Sequence, residues 1–258
     1  MQYLNLGCGN RFCNGPEWIN IDFNSVYDNV KSINILKGLP FADESVDAVF
    51  SSCMLEHLTK DQAQKHLSEC FRVLRQGGVC RIVVPDLENV CREYLRMLEL
   101  VRNDEAYRAK YDYILIELID QMTRMYSGGE MLKYWQSPDK DEEYIQERTG
   151  YPEDLKGKLP LRIILKGKIG YVTAKVFGRL PFYQKYQLGK FMLSGETHKW
   201  MYDEYGLTQL LKSAGFQNVV RASAGDSMIS GWNQYELELD GGKEYKPHSL
   251  YVEGVKIS

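Results

Sequence analysis

A short apolar run ends directly in a glycine turn at the start of the chain, Tyr3-Leu4-Asn5-Leu6-Gly7-Cys8-Gly9-Asn10. A second run, Trp18-Ile19-Asn20-Ile21, closes on Asp22. Glycines let a backbone approach a ligand closely. An acid at the tip of the neighbouring strand can accept hydrogen bonds from both hydroxyls of a ribose. About a dozen residues separate the turn from the end of the second run, whereas a full strand-helix-strand unit takes ~30. The first crossover, which contains Asn14-Gly15-Pro16, is therefore expected to be a turn or loop and not a helix.

The following segments continue the alternation. Strands are expected near 2–6, 18–22, 32–36, 46–51 and 79–84, several of them continuous apolar runs suited to burial on both faces. Between the last two, Thr59-Lys60-Asp61-Gln62 has the form of a capping box. Ala63, Leu67, Cys70, Phe71 and Leu74 supply an apolar stripe, Gly77-Gly78 marks the end, and His66 falls on the polar flank as a solvated side chain. Strand, helix and strand in this order predict a right-handed parallel crossover and an α/β sheet.

Helical spacing then takes over, in Leu87, Val90, Cys91, Tyr94, Leu95, Leu98 and Val101, and again from about Ala106 to Met125. A helix around Leu207–Ala214 and strands at 218–221 and 250–255 return to the earlier pattern. The reading is one α/β domain, residues 1–86 and 196–258, with a largely helical insertion at 87–195.

The 258 residues suffice for a sizeable core, and a net charge of −3 argues against a dedicated nucleic-acid binder. No stretch of 18 apolar residues occurs, and no basic n-region precedes the first strand, so neither a membrane span nor a signal peptide is expected. The six cysteines, Cys8, Cys13, Cys53, Cys70, Cys80 and Cys91, show no Cys-x-x-Cys spacing. They are read as reduced thiols of a cytoplasmic protein, with no metal site expected.

A dinucleotide site requires a third glycine, where this chain has Phe12, and an acid about 20 positions on. A nucleoside cofactor without a pyrophosphate fits better. Leu4-Asn5-Leu6-Gly7-Cys8-Gly9-Asn10 resembles the first motif of class I S-adenosylmethionine-dependent methyltransferases, and Asp22 resembles their ribose-binding acid. Leu39-Pro40-Phe41 leading into Val46-Asp47-Ala48-Val49, Leu55-Glu56-His57-Leu58, and Phe71-Arg72-Val73-Leu74-Arg75-Gln76-Gly77-Gly78 resemble segments of the type 11 group. The likeness covers residues 2–86 and resumes at 198–216 and 248–253. Within the group it is most like bacterial members associated with surface-polysaccharide synthesis.

The resemblance implies a Rossmann-like sheet of about seven mostly parallel strands and S-adenosylmethionine as cofactor. It places Gly7, Cys8 and Gly9, flanked by Leu6 and Asn10, under the methionine moiety and ribose, with Asp22 on the ribose hydroxyls. Phe23 packs near adenine, with Ile35 and Leu36 on its other side. Ser51, Ser52 and Cys53 face the amino-acid end.

Methyl transfer from an activated sulfonium depends mainly on in-line positioning. A general base helps where the acceptor must lose a proton, and His57, Asp86 and His198 are the candidates. The expected acceptor is a small molecule or saccharide, methylated on oxygen. The basic segment 156–190, interleaved with aromatics, fits an anionic acceptor or peripheral contact with an anionic membrane surface. Two other classes remain open at this point: a nicotinamide-dependent oxidoreductase, and a non-catalytic protein that binds S-adenosylmethionine.

Overall fold

The structure, a computed structural model, describes residues 1–150 and 181–257. The expectation for the basic segment therefore falls mostly outside the described residues. Lys185 and Lys190 lie within them, on a helix running Pro181–Met192.

Seven strands form the central sheet: β1 (Tyr3–Leu6), β2 (Trp18–Asp22), β3 (Val30–Ser32), β4 (Val46–Ser52), β5 (Leu74–Pro85), β6 (Gln217–Ala222) and β9 (Ser249–Val255). Two short strands, β7 (Leu239–Asp240) and β8 (Lys243–Glu244), make a separate hairpin. The order across the sheet is β3-β2-β1-β4-β5-β9-β6. All pairings are parallel except those of β9, which runs antiparallel to both neighbours. Strand order reverses between β1 and β4, whose ends pair as Leu6 with Ser51. In sheets of this kind that switch point opens a crevice at the carboxyl edge. The first crossover contains no helix, as its length requires.

Helix α1 (Lys60–Val73) begins at Thr59, whose side chain accepts from the Gln62 amide while the Gln62 side chain accepts from the Thr59 amide. It ends at Val73, earlier than the glycine pair predicts. Leu74 turns extended and pairs with Val46, so Gly77-Gly78 lies within β5. His66 is a second correction, because it is buried. Positions 63, 66, 67, 70 and 73 make one stripe of the helix, and that stripe faces inward. The His66 ring lies 3.5 Å from the Cys70 sulfur.

The strand expected at 32–36 is also displaced. β3 stops at Ser32, and Ile35–Lys37 forms a 3-10 turn because the Asn34 side chain accepts from the Leu36 amide. Local side-chain capping defeats the apolar pattern there.

One face of the sheet packs Leu4, Leu6, Val49, Ile82 and Val84 against α1 and the helix Glu204–Ser213, through Leu67 and Leu211. The opposite face carries Tyr3, Trp18, Phe50 and Tyr251. It is covered by Ile229, Trp232 and Leu237 from the long connection between β6 and β9. Arg81 of β5 and Glu253 of β9, fully buried there, meet at 2.7 Å. The Arg81 guanidinium also donates to the carbonyls of Ser223 and Asp226, and it stacks over Trp232.

A third cluster, centred on Val90, Tyr113 and Tyr144, joins four helices: α2 (Leu87–Asn103), α3 (Arg108–Thr123), α4 (Gly129–Gln136) and α5 (Glu142–Thr149). Continuing in chain order, α6 is Pro181–Met192 and α7 is Glu204–Ser213. All six cysteines are free thiols.

Candidate functional site

The glycine turn is held by β2. The amides of Gly7 and Cys8 both donate to the Ile21 carbonyl, at 2.8 and 3.1 Å. Gly7 has φ +70, and a Cβ there would meet the Met54 Cγ at 2.5 Å, so glycine is required twice over. The Gly9 amide donates to Asp22 Oδ2 at 2.8 Å, which fixes the carboxylate at the mouth of the crevice.

A cleft of about 380 Å³ opens above this turn, lined by Gly7, Asp22, Phe23, Ile35, Leu36 and Cys53 among others. Phe23 and Leu36 are exposed, leaving apolar surface free on the two sides of the cleft. Six of the twelve cofactor positions read from the sequence thus come together there. The other six do not line it. Leu6 is in the core, Ser51 is buried with its hydroxyl unpartnered, and Gly9 and Asn10 are exposed at the turn. Cys8 and Ser52 line a small cavity on the other side of the turn, with Lys246 and Glu238.

A second cleft, of about 310 Å³, lies beside the first, between the sheet edge and the helices α2 to α5. Cys53 lines both. It has φ +50, an unusual conformation for a residue with a side chain, at the very end of β4. His57 lines the first cleft and His198 the second, and their rings meet edge to face at 4.7 Å. The two histidines therefore form the partition between the clefts. His57 reaches it from a 3-10 turn after β4, Leu55–His57. His198 reaches it through its amide, which donates to the Gln121 carbonyl of α3.

Burial governs the electrostatics. It pushes the His198 pKa down to about 3, helped by His57 and Arg124, and it lowers that of His57 as well. Burial thus favours the neutral form of both rings. Burial raises the Glu56 carboxyl to about 7 and the Cys53 thiol to about 11. Burial opposes the Lys246 charge, but Cys53, Glu238 and Glu56 around it hold its pKa above the ordinary lysine value. Asp86, the third candidate base, caps α2 by accepting from the Glu88 and Asn89 amides, and it pairs with Arg221 at 3.0 Å.

Glu56, Lys246 and Glu238 were not singled out by sequence reasoning. Glu56 stood inside a quoted motif, and a carboxylate beside His57 in the otherwise apolar Met54-Leu55-Glu56-His57-Leu58 was the available signal. Lys246 and Glu238 lie in a connection with no local pattern.

Residues 24–82 match a family profile described as a methyltransferase domain. A protein of Mycolicibacterium smegmatis described as a probable S-adenosylmethionine-dependent methyltransferase is 53% identical over 51 residues, 20% of this chain and 19% of that protein. The match thus spans about a fifth of the curated relative's length. A Thermotoga maritima structure described as a SAM-dependent methyltransferase, possible histamine N-methyltransferase, aligns over 99% of this chain and 82% of its own, with 13% identity and a TM-score of 0.41. A SAM-dependent methyltransferase from Archaeoglobus fulgidus aligns over 99% and 86%, with 14% identity and a TM-score of 0.40.

Proposed function

We propose that this chain is a class I, S-adenosylmethionine-dependent methyltransferase and that it transfers the cofactor's methyl group to an oxygen of a small-molecule or saccharide acceptor. The observation that carries this reading is the pair of adjoining clefts that share Cys53 and are divided by His57 and His198. A cofactor in one and an acceptor in the other would meet at that partition.

In the first cleft the ribose would lie on Asp22, whose carboxylate is already oriented by the Gly9 amide. Adenine would lie between Phe23 on one side and Ile35 and Leu36 on the other. The methionine end would pass Gly7 toward Cys53. The sulfonium needs no further activation, so the protein's task is to align the acceptor oxygen with the methyl carbon. Asp86 is committed to its cap and to Arg221, which leaves His57 and His198 where an acceptor proton is lost.

The second cleft is lined by Arg124, Arg148 and Lys246 beside Asp86 and Glu117. Arg148 is held by Glu117 and Arg124 by Asp120, whereas Lys246 has no ion pair within 4 Å among the described residues. That balance suits an acceptor rich in hydroxyls that also carries an anionic group, such as an acidic or phosphate-bearing saccharide of a surface polysaccharide. We take the described part of the insertion, residues 87–150 and 181–195, as the cap that selects it, and the cytoplasm, where six thiols stay reduced, as its setting. No nucleic acid is invoked.

Incubation with methyl-labelled S-adenosylmethionine and a metabolite extract, followed by identification of the labelled product, tests the reading. A product labelled on nitrogen or carbon would overturn the oxygen assignment. Asp22→Ala should weaken cofactor affinity tenfold or more, since each charge-assisted hydrogen bond contributes roughly 1.5–3 kcal/mol. Unchanged affinity in calorimetry would remove Asp22 from the site.

A further inference from the structure

The partition between the clefts contains a third side chain, and its state is unusual. Glu56 is 1% exposed, yet neither carboxylate oxygen accepts a hydrogen bond of ordinary geometry, although the Cys53 thiol lies beside it. A buried carboxylate left in this way is unfavourable unless something satisfies it. Its backbone does have partners, because the Lys199 and Trp200 amides both donate to the Glu56 carbonyl. This contact binds the turn after β4 to the irregular segment carrying His198.

His57 Nδ1 is also buried and unpartnered, while the ring bonds the backbone at Thr197 and Gly195. A proton kept on the other nitrogen by those carbonyls leaves the Nδ1 lone pair free, the usual outer support of a metal-binding imidazole. One donor atom each from Glu56, His57 and His198 lie within 4.8 Å of one another.

We propose that Glu56, His57 and His198 form a binding site for one divalent transition-metal ion at the partition, where His198 also lines the second cleft.

Three observations point to it together: the orphaned carboxylate, the free imidazole nitrogen, and the convergence of the adjacent Glu56 and His57 with His198 from a distant part of the chain. Two histidines and one glutamate are the protein ligands of catalytic zinc sites that keep a fourth position for water or substrate. The same set suits iron(II) and related ions. A small closing movement of the side chains brings donors from this spacing to bonds of about 2.0–2.2 Å. The ion would coordinate both the buried, unsatisfied carboxylate of Glu56 and the unpartnered His57 Nδ1. Lys246 lies on the Cys53 side and repels the ion, so affinity should be moderate and not extreme.

This inference deepens the methyl-transfer reading and in that part rests on it. The open position, beside His198, would take an acceptor hydroxyl and lower its pKa so that its proton passes to solvent water, the two histidines then acting as ligands and not as bases.

Metal binding is testable without cofactor or acceptor. The full chain, stripped with chelator, is titrated calorimetrically with Mn(II) and with Zn(II), and Glu56→Gln and His198→Ala are compared after circular dichroism shows them folded. One ion per chain with at least tenfold weaker binding in both variants is expected, with Cys91→Ser matching the unaltered protein. Should a variant not fold, pulsed electron paramagnetic resonance of Mn(II) on the unaltered chain decides, through couplings to two histidine nitrogens. No binding of either ion at millimolar concentration, binding unchanged in folded variants, or a resonance without histidine couplings would overturn the site. S-adenosylmethionine affinity is measured in parallel. Its absence beside intact metal binding would sink the methyl-transfer reading while leaving the metal site standing.

Discussion

The two faces of the sheet are covered by different means. On one, α1 and α7 lay regular apolar stripes over aliphatic side chains of the strands, in the ordinary manner of an α/β layer. On the other, the first crossover is too short to supply a helix, and the cover comes from more than 200 residues later in the chain. Trp232, Tyr235 and Leu237 of the β6–β9 connection close over Trp18 and Phe50, with ring centroids of Phe50 and Trp232 5.0 Å apart. Deleting a crossover helix leaves the sheet's need for burial in place and moves the source of the covering side chains.

The difference extends to charge. The helical face is largely aliphatic, with His66 its one buried polar side chain on α1, whereas the irregular face is organised around the buried Arg81–Glu253 pair. Glu253 also accepts from the Ser227 hydroxyl and the Met228 amide, so the pair fixes where the long connection lies. Polar groups satisfied in this way can define one packing among several where aromatic side chains alone would not.

The sharpest way to break the comparison is Arg81→Ala. It leaves Glu253 buried and uncompensated, and removal of one partner of such a pair costs about 3–5 kcal/mol. Urea denaturation should show at least that loss. A change below 1 kcal/mol would mean that the irregular face is a loose cover and not part of the cooperative core. On the helical face, Leu67→Ala removes a fully buried side chain and should cost about 2–5 kcal/mol, with the same measurement placing the two faces on one scale.

The smallest effect concerns the Leu39-Pro40-Phe41 turn. Arg72 donates to the Leu39 and Phe41 carbonyls and pairs with Glu69, whose own carboxylate accepts from the Leu39 amide. Hydrogen bonding from Arg72, ahead of the opposing effect of burial, holds the Glu69 pKa at about 2. A depressed carboxylate stabilises above its unfolded value of about 4.3 and loses that contribution as pH falls toward 2. Both side chains are about 30% exposed, so solvent screening limits the gain to ~0.5–1 kcal/mol. Glu69→Gln should abolish that part of the acid sensitivity. An identical stability profile between pH 5 and 2 would show the turn to be held by Arg72 and the backbone alone.

Sequence patterns gave access to the helical face because its determinants are local. Thr59 and Gln62 declare the start of α1, and Ala63, Leu67 and Cys70 declare its inner stripe. The displacement of β3 and the early end of α1 were less legible. One depends on an Asn34 side chain competing for a backbone amide, the other on Leu74 pairing with Val46 almost 30 positions away. The irregular face was invisible for the same reason, since nothing near Trp232 says which strands it covers. At the site, the glycine turn and Asp22 could be read directly. Glu56 was in view but unremarked, because only the return of the chain at His198 to Trp200 shows what surrounds it.

The edges of the sheet carry a consequence for solution behaviour. β3, at one margin, is three residues long. β6, at the other, breaks register between Gln217 and Val220, with Asn218 in a left-handed conformation. A short margin and a bulged margin offer no straight row of amides and carbonyls onto which a foreign strand could add. Crowded molecules of this protein should resist joining sheet to sheet, even with aromatic-rich strands in each core.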